Sequence, residues 1–286
     1  MRLRDAQQIE PTWAINRLVS NMTTSTSART VHFQRRAPVI PTAVSRPDKV
    51  APRKTKCASC NLRELCQPCC GLNRSEMDIA DQLAFNRSRV RRGQSLYRMG
   101  DRFTSLYAVR SGFFKSSALR ENGRDQVTRF SMTGEVLGLD GIGQEHHICN
   151  TVALEDSDVC AIPFAELQEL AHEIPSLQRE FHRTMSREIV RERGVMLLLG
   201  TMNAEERLAM FLLNLSQRFA ASGYSSSEFH LRMTREEIGS YLGQKLETVS
   251  RTFSRFQQEG LIGVQQKCIR ILDSAGLERV MARDSD

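Results

Sequence analysis

Three cysteines stand close together in Cys57-x-x-Cys60-x-x-x-x-x-Cys66, and a fourth, Cys160, lies far downstream. Thiolates at such spacing can wrap a soft metal centre. Zinc sites usually pair one C-x2–4-C with a second such pair or with histidines. Here a single run is completed by one distant cysteine. Iron–sulfur clusters accept uneven spacing, because a cluster needs thiolates at its corners and no fixed chain path. Cys69 and Cys70 lie close enough to compete as ligands. Cys149 neighbours His146 and His147, which suggests a metal trio but reads as turn residues between strands. Cys268 reads as structural.

A second group of residues carries the chemistry of base recognition. Glu247, Ser250 and Arg251 fall at i, i+3 and i+4, on one face of a helix whose other face carries Val249, Phe253 and Phe256. Arg can fork onto guanine, Glu can accept from the cytosine amino group, and Ser suits either partner. A helix-turn-helix buries the apolar face and lays the polar one into the major groove. The bland alternative is a hairpin of helices with a solvated charged face.

The elements that position these groups follow from local signals. Thr234-Arg235-Glu236-Glu237 is a capping box. Its helix stops at Gly243, and a second starts near Leu246. Leu261–Val264 and Ile269–Leu272 read as a two-stranded wing, with Gln265–Cys268 between them. Upstream, glycines at 93, 100, 112, 123, 134 and 143 punctuate short apolar runs from Val90 to Ile162. That texture predicts an antiparallel β-roll or barrel of about eight strands. Met77–Phe85 and Phe164–His172 read as short helices. Pro175 opens a long helix, and Asn203 caps the next, over Ala204–Ala221. Within the long helix Met185, Ile189, Glu192, Met196 and Leu199 form a heptad seam that usually meets its own copy. The alternative is that this stripe packs on the β-roll of the same chain.

The formal net charge of +7 has a location. Residues 1–56 hold 11 Lys/Arg against 3 Asp/Glu, leaving 29 against 30 in the rest. The basic balance therefore belongs to a Ser-, Thr-, Arg- and Pro-rich tail and says little about the body. No run is apolar enough to span a membrane, and Met1–Glu10 is polar, so the expected location is the cytoplasm. Eight cysteines there point to metal, redox or core roles rather than a disulfide framework.

From about Cys57 to Leu272 the chain resembles the FNR subfamily of the CRP/FNR transcription regulators. The resemblance rests on Ser105-Leu106-Tyr107-Ala108-Val109-Arg110-Ser111-Gly112, on Asn203-Ala204-Glu205-Glu206-Arg207-Leu208-Ala209, on Met233-Thr234-Arg235 and on Glu247-Thr248-Val249-Ser250-Arg251. It implies a 4Fe–4S cluster on Cys57, Cys60, Cys66 and Cys160 that senses oxygen. It also implies a homodimer on a palindrome of TTGAT-like half-sites, read by Glu247, Ser250 and Arg251. Residues 140–144 become a candidate surface for RNA polymerase, by resemblance alone. The implied architecture is α+β: a basic tail (1–52), a cysteine-rich segment (53–75), a β-roll (76–173), a dimerisation helix (174–202) and a winged helix-turn-helix (203–286).

Three rivals stay open at this level. One is a helix-turn-helix regulator that uses zinc or redox-active thiols. Another is a cyclic-nucleotide receptor, since Gly134-Glu135-Val136-Leu137-Gly138-Leu139 resembles the start of that phosphate cassette. His147-Ile148 stands roughly where its Arg-Ser pair belongs, so the phosphate would lack its main cation. The third is an enzyme, for which the chain shows no flavin or dinucleotide glycine motif.

Overall fold

The computed structural model describes residues 53–54, 76, 86–119, 123 and 125–282. The basic tail, the helix expected over Met77–Phe85, and Cys57, Cys60, Cys66, Cys69 and Cys70 lie outside the described residues. The first strands are β1 (Arg53–Lys54), β2 (Asn86–Val90), β3 (Ser95–Tyr97), β4 (Ser105–Ser111) and β5 (Phe113–Leu119). They continue with β6 (Asp125–Met132), β7 (Val136–Leu137), β8 (Asn150–Ala153) and β9 (Ser157–Pro163). One sheet runs β1-β2-β9-β4-β7 and the other β3-β8-β5-β6, with antiparallel pairing throughout. The β-roll read from the glycine punctuation is therefore present, and β2 to β9 supply eight strands.

Alternation along each strand decides what is buried. Val90, Tyr97, Val109, Phe114, Leu137, Ala153 and Val159 pack into one cluster of the roll. Leu106, Ala108, Val136 and Ile162 instead pack beneath the helices. β4 feeds both clusters, Leu106 and Ala108 to one and Val109 to the other, and its pairing with β9 shifts register just past Val109.

Helix α1 (Phe164–Glu173) leads into α2 (Pro175–Thr201), with Pro175 in the first turn, where its missing N–H is no loss. α2 does not use the expected seam against its own chain. Its buried residues are Ser176, Leu177, Glu180, Thr184, Glu188 and Leu198. Met185 is half-buried and Glu192 exposed, while Ile189, Met196 and Leu199 are 53%, 72% and 37% exposed. Ile189, Glu192, Met196 and Leu199 therefore do not pack on the described residues of the β-roll, where a different stripe lies, while Met185 is partly covered.

Two residues join α2 to α3 (Ala204–Ala221). Asn203 Oδ1 accepts from the N–H groups of Glu205 (2.9 Å) and Glu206 (3.1 Å), and Glu206 accepts back from the Asn203 N–H. The chain continues through β10 (Glu228–His230), α4 (Arg235–Leu242), α5 (Leu246–Gln258), β11 (Ile262–Gln265), β12 (Cys268–Ile271) and α6 (Ser274–Met281). The wing differs from its sequence reading in two ways. Gln265 pairs with Cys268, so the ladder closes on a tight turn and its strands end one residue away from the expected limits. β10 adds a third strand, in the order β10-β12-β11.

The helix-turn-helix does not own a separate core. Phe113, Val127, Phe130 and Met132 of the β5–β6 hairpin lie in the same buried cluster as Leu208, Leu212, Ile238, Leu242, Val249 and Phe253. The domain boundary drawn at residue 203 marks a change of fold, but no break in packing.

Candidate nucleic-acid interface and metal-ligand segment

The capping box at α4 is formed as its spacing predicts. Glu237 N–H donates to Thr234 Oγ1 (3.1 Å), and Thr234 N–H donates to Glu237 Oε2 (2.7 Å). α4 ends at Gly243 in the left-handed region, φ 64°, which lets the chain turn at once into α5. Gly239 makes that turn possible, since a Cβ there would come within 2.6 Å of the Gln244 carbonyl oxygen. α5 buries Val249, Thr252, Phe253 and Phe256. Glu247, Ser250 and Arg251 are all exposed, on the opposite face. The Arg235 guanidinium lies 3.1 Å from the centre of the Phe253 ring. Burial there pushes its pKa down to about 10, and the stacking ties α4 to α5.

The β-roll grips this unit through polar contacts that carry no periodic sequence signal. Lys115 Nζ donates to Glu237 Oε1 at 2.6 Å. Val127 N–H donates to Ser240 Oγ at 2.9 Å, and Gln126 Nε2 donates to the Ser240 carbonyl. Burial alone would raise the Glu237 carboxyl, yet the bonds from Lys115 and Thr234 hold it below its ordinary value. Arg207 closes the hinge side, donating to the carbonyls of Leu199 (2.9 Å), Met202 (2.8 Å) and Leu242 (3.0 Å).

Cys160 sits half-buried on β9 against the cluster of Leu106, Ile162 and Leu177. In the ladder Arg53 pairs with Arg87, and Arg87 pairs with Cys160. Two strand spacings put β1 about 10 Å from Cys160, and Cys57 follows Lys54 by three residues. At the other end of the cysteine segment, Glu76 accepts a hydrogen bond from Ser176 Oγ (2.6 Å) at the start of α2. An extended chain covers about 3.3–3.6 Å per residue, so Cys57 lies within reach of Cys160. The ligand set is all thiolate, which suits an iron–sulfur cluster or zinc. Among the described residues no group of three or more metal-ligating side chains is assembled.

His146, His147 and Cys149 do not converge as a metal trio. His147 is buried and stacks on Tyr97 with ring centres 3.7 Å apart, whereas His146 is exposed. Asp140 gathers the turn, accepting from Ile148 N–H (2.9 Å), Cys149 Sγ (3.3 Å) and Tyr97 Oη (3.4 Å). Burial, then the neighbouring carboxylate of Asp140, pushes the Cys149 thiol up to about 12, so it stays protonated and unreactive. Within residues 140–144, Asp140 and Ile142 are half-buried, Gly141 is buried, and Gly143 and Gln144 are exposed.

Glu135, the acidic residue of the cassette-like stretch, is taken up by three arginines of this chain. Arg218 forks onto it with Nε and Nη2, each at 3.0 Å, and Arg191 and Arg129 approach it to 3.3 and 3.7 Å.

An eight-stranded β-roll, a long helix and a winged helix-turn-helix with an open polar reading face define a DNA-binding regulator. Residues 206–280 match the model of the Crp-like helix-turn-helix domain, and residues 87–173 match that of the cyclic nucleotide-binding domain. "Transcriptional regulatory protein btr" of Bordetella pertussis is 46% identical over 253 residues, 88% of this chain and 100% of that protein. "Fumarate and nitrate reduction regulatory protein" of Escherichia coli is 43% identical over 224 residues, 78% of this chain and 89% of that protein. FixK2 of Bradyrhizobium japonicum, a solved structure, superposes with a TM-score of 0.65 at 28% identity, over 71% of this chain and all of that one. The chain belongs to the CRP/FNR family of transcription regulators, alongside its FNR-like members. Among the described residues no helix is long and apolar enough to cross a membrane.

Proposed function

We propose that this regulator responds to oxygen through a 4Fe–4S cluster held by Cys57, Cys60, Cys66 and Cys160, and that it binds DNA as a homodimer. The observation that supports the reading is the row Arg53, Arg87, Cys160, which sets β1, just ahead of the cysteine segment, two strands from the distant cysteine. When bound, the cluster supplies a soft, oxygen-labile centre that only thiolates hold well. The chain's own residues do the rest. With a cluster bound, the four thiolates would tie the segment ahead of Glu76 to β9 at Cys160, while Glu76 keeps its hydrogen bond to Ser176 at the start of α2. Those ties favour the dimer to the extent that they are stronger in the dimer-competent state. Met185, Ile189, Glu192, Met196 and Leu199 form the seam, and Glu192 facing its own copy keeps the dimer marginal and therefore switchable.

The dimer places two copies of α5 on a palindrome of TTGAT-like half-sites, where Glu247, Ser250 and Arg251 read base edges. Loss of the cluster in oxygen switches binding off. RNA polymerase is met at the exposed part of the loop around Gly143 and Gln144, and the protein works in the cytoplasm.

Anaerobic purification with an absorbance spectrum and iron, sulfide and zinc analysis tests the reading. Cys160→Ser should abolish cluster binding, because a hydroxyl replaces a soft thiolate poorly. Full iron and sulfide in that variant, or stoichiometric zinc in the native chain, would overturn the assignment.

A further inference from the structure

A set of five charges, two buried carboxylates and three half-buried guanidiniums, joins the three parts of the molecule. Glu135 and Arg129 belong to the β-roll, Glu188 and Arg191 to α2, and Arg218 to α3 of the DNA-reading unit. Arg129 meets Glu188 with Nη2 at 3.0 Å, and Arg191 meets it at 3.2 Å, while both also approach Glu135. Arg218 enters from the other side. Besides forking onto Glu135, it donates to the Phe130 carbonyl at 2.7 Å. Glu135 and Glu188 are 6% exposed each. An ion pair this dry has a narrow choice of geometry, because any departure leaves a charge without water or partner.

Its position gives that rigidity a use. The reading unit joins α2 through the two residues Met202–Asn203 and shares its core with the β5–β6 hairpin. Arg218 lies about 22 Å along α3 from that joint at about 1.5 Å per residue. A restraint at the far end of a lever resists rotation best: about 3 Å of slack there turns the helix by only about 8°. Lys115 on Glu237, 2.6 Å, and Val127 N–H on Ser240 hold the adjacent α4 to the same hairpin. These contacts leave the reading face of α5 untouched.

We propose that Glu135 and Lys115 of the β-roll, gripping Arg218 and Glu237, fix the rotation of each DNA-reading unit and so set the spacing between half-sites that the dimer accepts. The inference rests on the homodimer reading above. Each base pair added between half-sites moves one of them about 3.4 Å along the duplex and turns it by about 35°. Two rigidly held units cannot follow that displacement, whereas loosened ones can. These are positioning residues: none of them lies on the face that reads bases.

The test uses the full chain, purified without oxygen, on duplexes carrying two TTGAT-like half-sites at the preferred spacing and with the spacer one base pair longer or shorter. Native protein should lose at least about tenfold in affinity on either altered spacer. Glu135→Gln, Arg218→Lys and, at the more exposed joint, Lys115→Ala should each shrink that ratio at least about threefold. Sedimentation should show the same dimer, and single-base changes within a half-site should be penalised as before. Lys115→Ala removes a partly exposed side chain and keeps the test decisive if a buried variant folds poorly. Dimeric variants that keep the native spacing ratio would overturn the proposal, as would a native protein indifferent to spacing. A native protein that does not prefer the palindrome to a scrambled duplex would overturn the proposed function itself, and this role with it.

Discussion

Along α2 the inward and outward faces exchange the roles that hydropathy alone would give them. Inward it carries Glu180, Thr184 and Glu188, all buried; outward it carries Ile189, Met196 and Leu199, all exposed. The inward carboxylates are tolerable because each has a guanidinium on it: Arg183 on Glu180, and Arg129 and Arg191 on Glu188. Among the described residues nothing covers the outward apolar stripe. An open apolar stripe of this kind suits contact with another surface, and the proposed homodimer supplies one. The difference teaches that burial within the described residues and fitness for the proposed dimer contact are separate properties of this helix.

Four substitutions would break or sharpen the contrast. The largest effect should come from Glu188→Ala, which leaves Arg129 and Arg191 with only Glu135 opposite them; a loss of about 3 kcal/mol in chemical unfolding is expected. Ile189→Lys on the open face should leave the unfolding of the monomer unchanged within about 0.5 kcal/mol. It should weaken association by about 1.5–3 kcal/mol per copy, read by sedimentation. Equal dimer fractions would remove Ile189 from the seam. Glu192→Ala should act in the opposite sense, strengthening the dimer by about 1 kcal/mol by removing a like-charge contact. The metal-free protein should then dimerise and bind its DNA site in air, and identical monomer fractions for native and variant chains would show that the heptad register is wrong. The smallest change is Thr184→Val on the closed face. Among the described residues the Thr184 hydroxyl is buried without a hydrogen-bond partner. Its removal should raise the unfolding free energy by about 0.5–1 kcal/mol and leave the dimer alone.

The parts that were legible in the sequence are those governed by short-range rules. The capping box of Thr234, the stop at Gly243, Pro175 at the head of α2 and the Asn203 cap depend on neighbours within one turn, and each was read where it stands. The long helix itself was also legible, from Pro175 through the spacing of its apolar residues. What escaped was long-range and polar. Nothing local marks Lys115 as the partner of a capping glutamate far downstream, or Arg218 as the partner of Glu135. β10 is three residues long and owes its place to the edge of β12. Nothing local marks Asp140 as the acceptor for the backbone and side chains of the turn that follows it.

The hairpin phenylalanines bear on whether the reading head can be transplanted. Phe130 stands 5.3 Å from the ring of Tyr241 and 6.1 Å from that of Phe211, and Phe113 stands 6.5 Å from Phe219. A fragment cut at residue 203 would carry Phe211, Phe219 and Tyr241 into water as a bare aromatic patch. The head is therefore not a cassette that recombination can move between proteins unaided. Any fusion that borrows it must bring the β5–β6 hairpin or furnish a substitute lid.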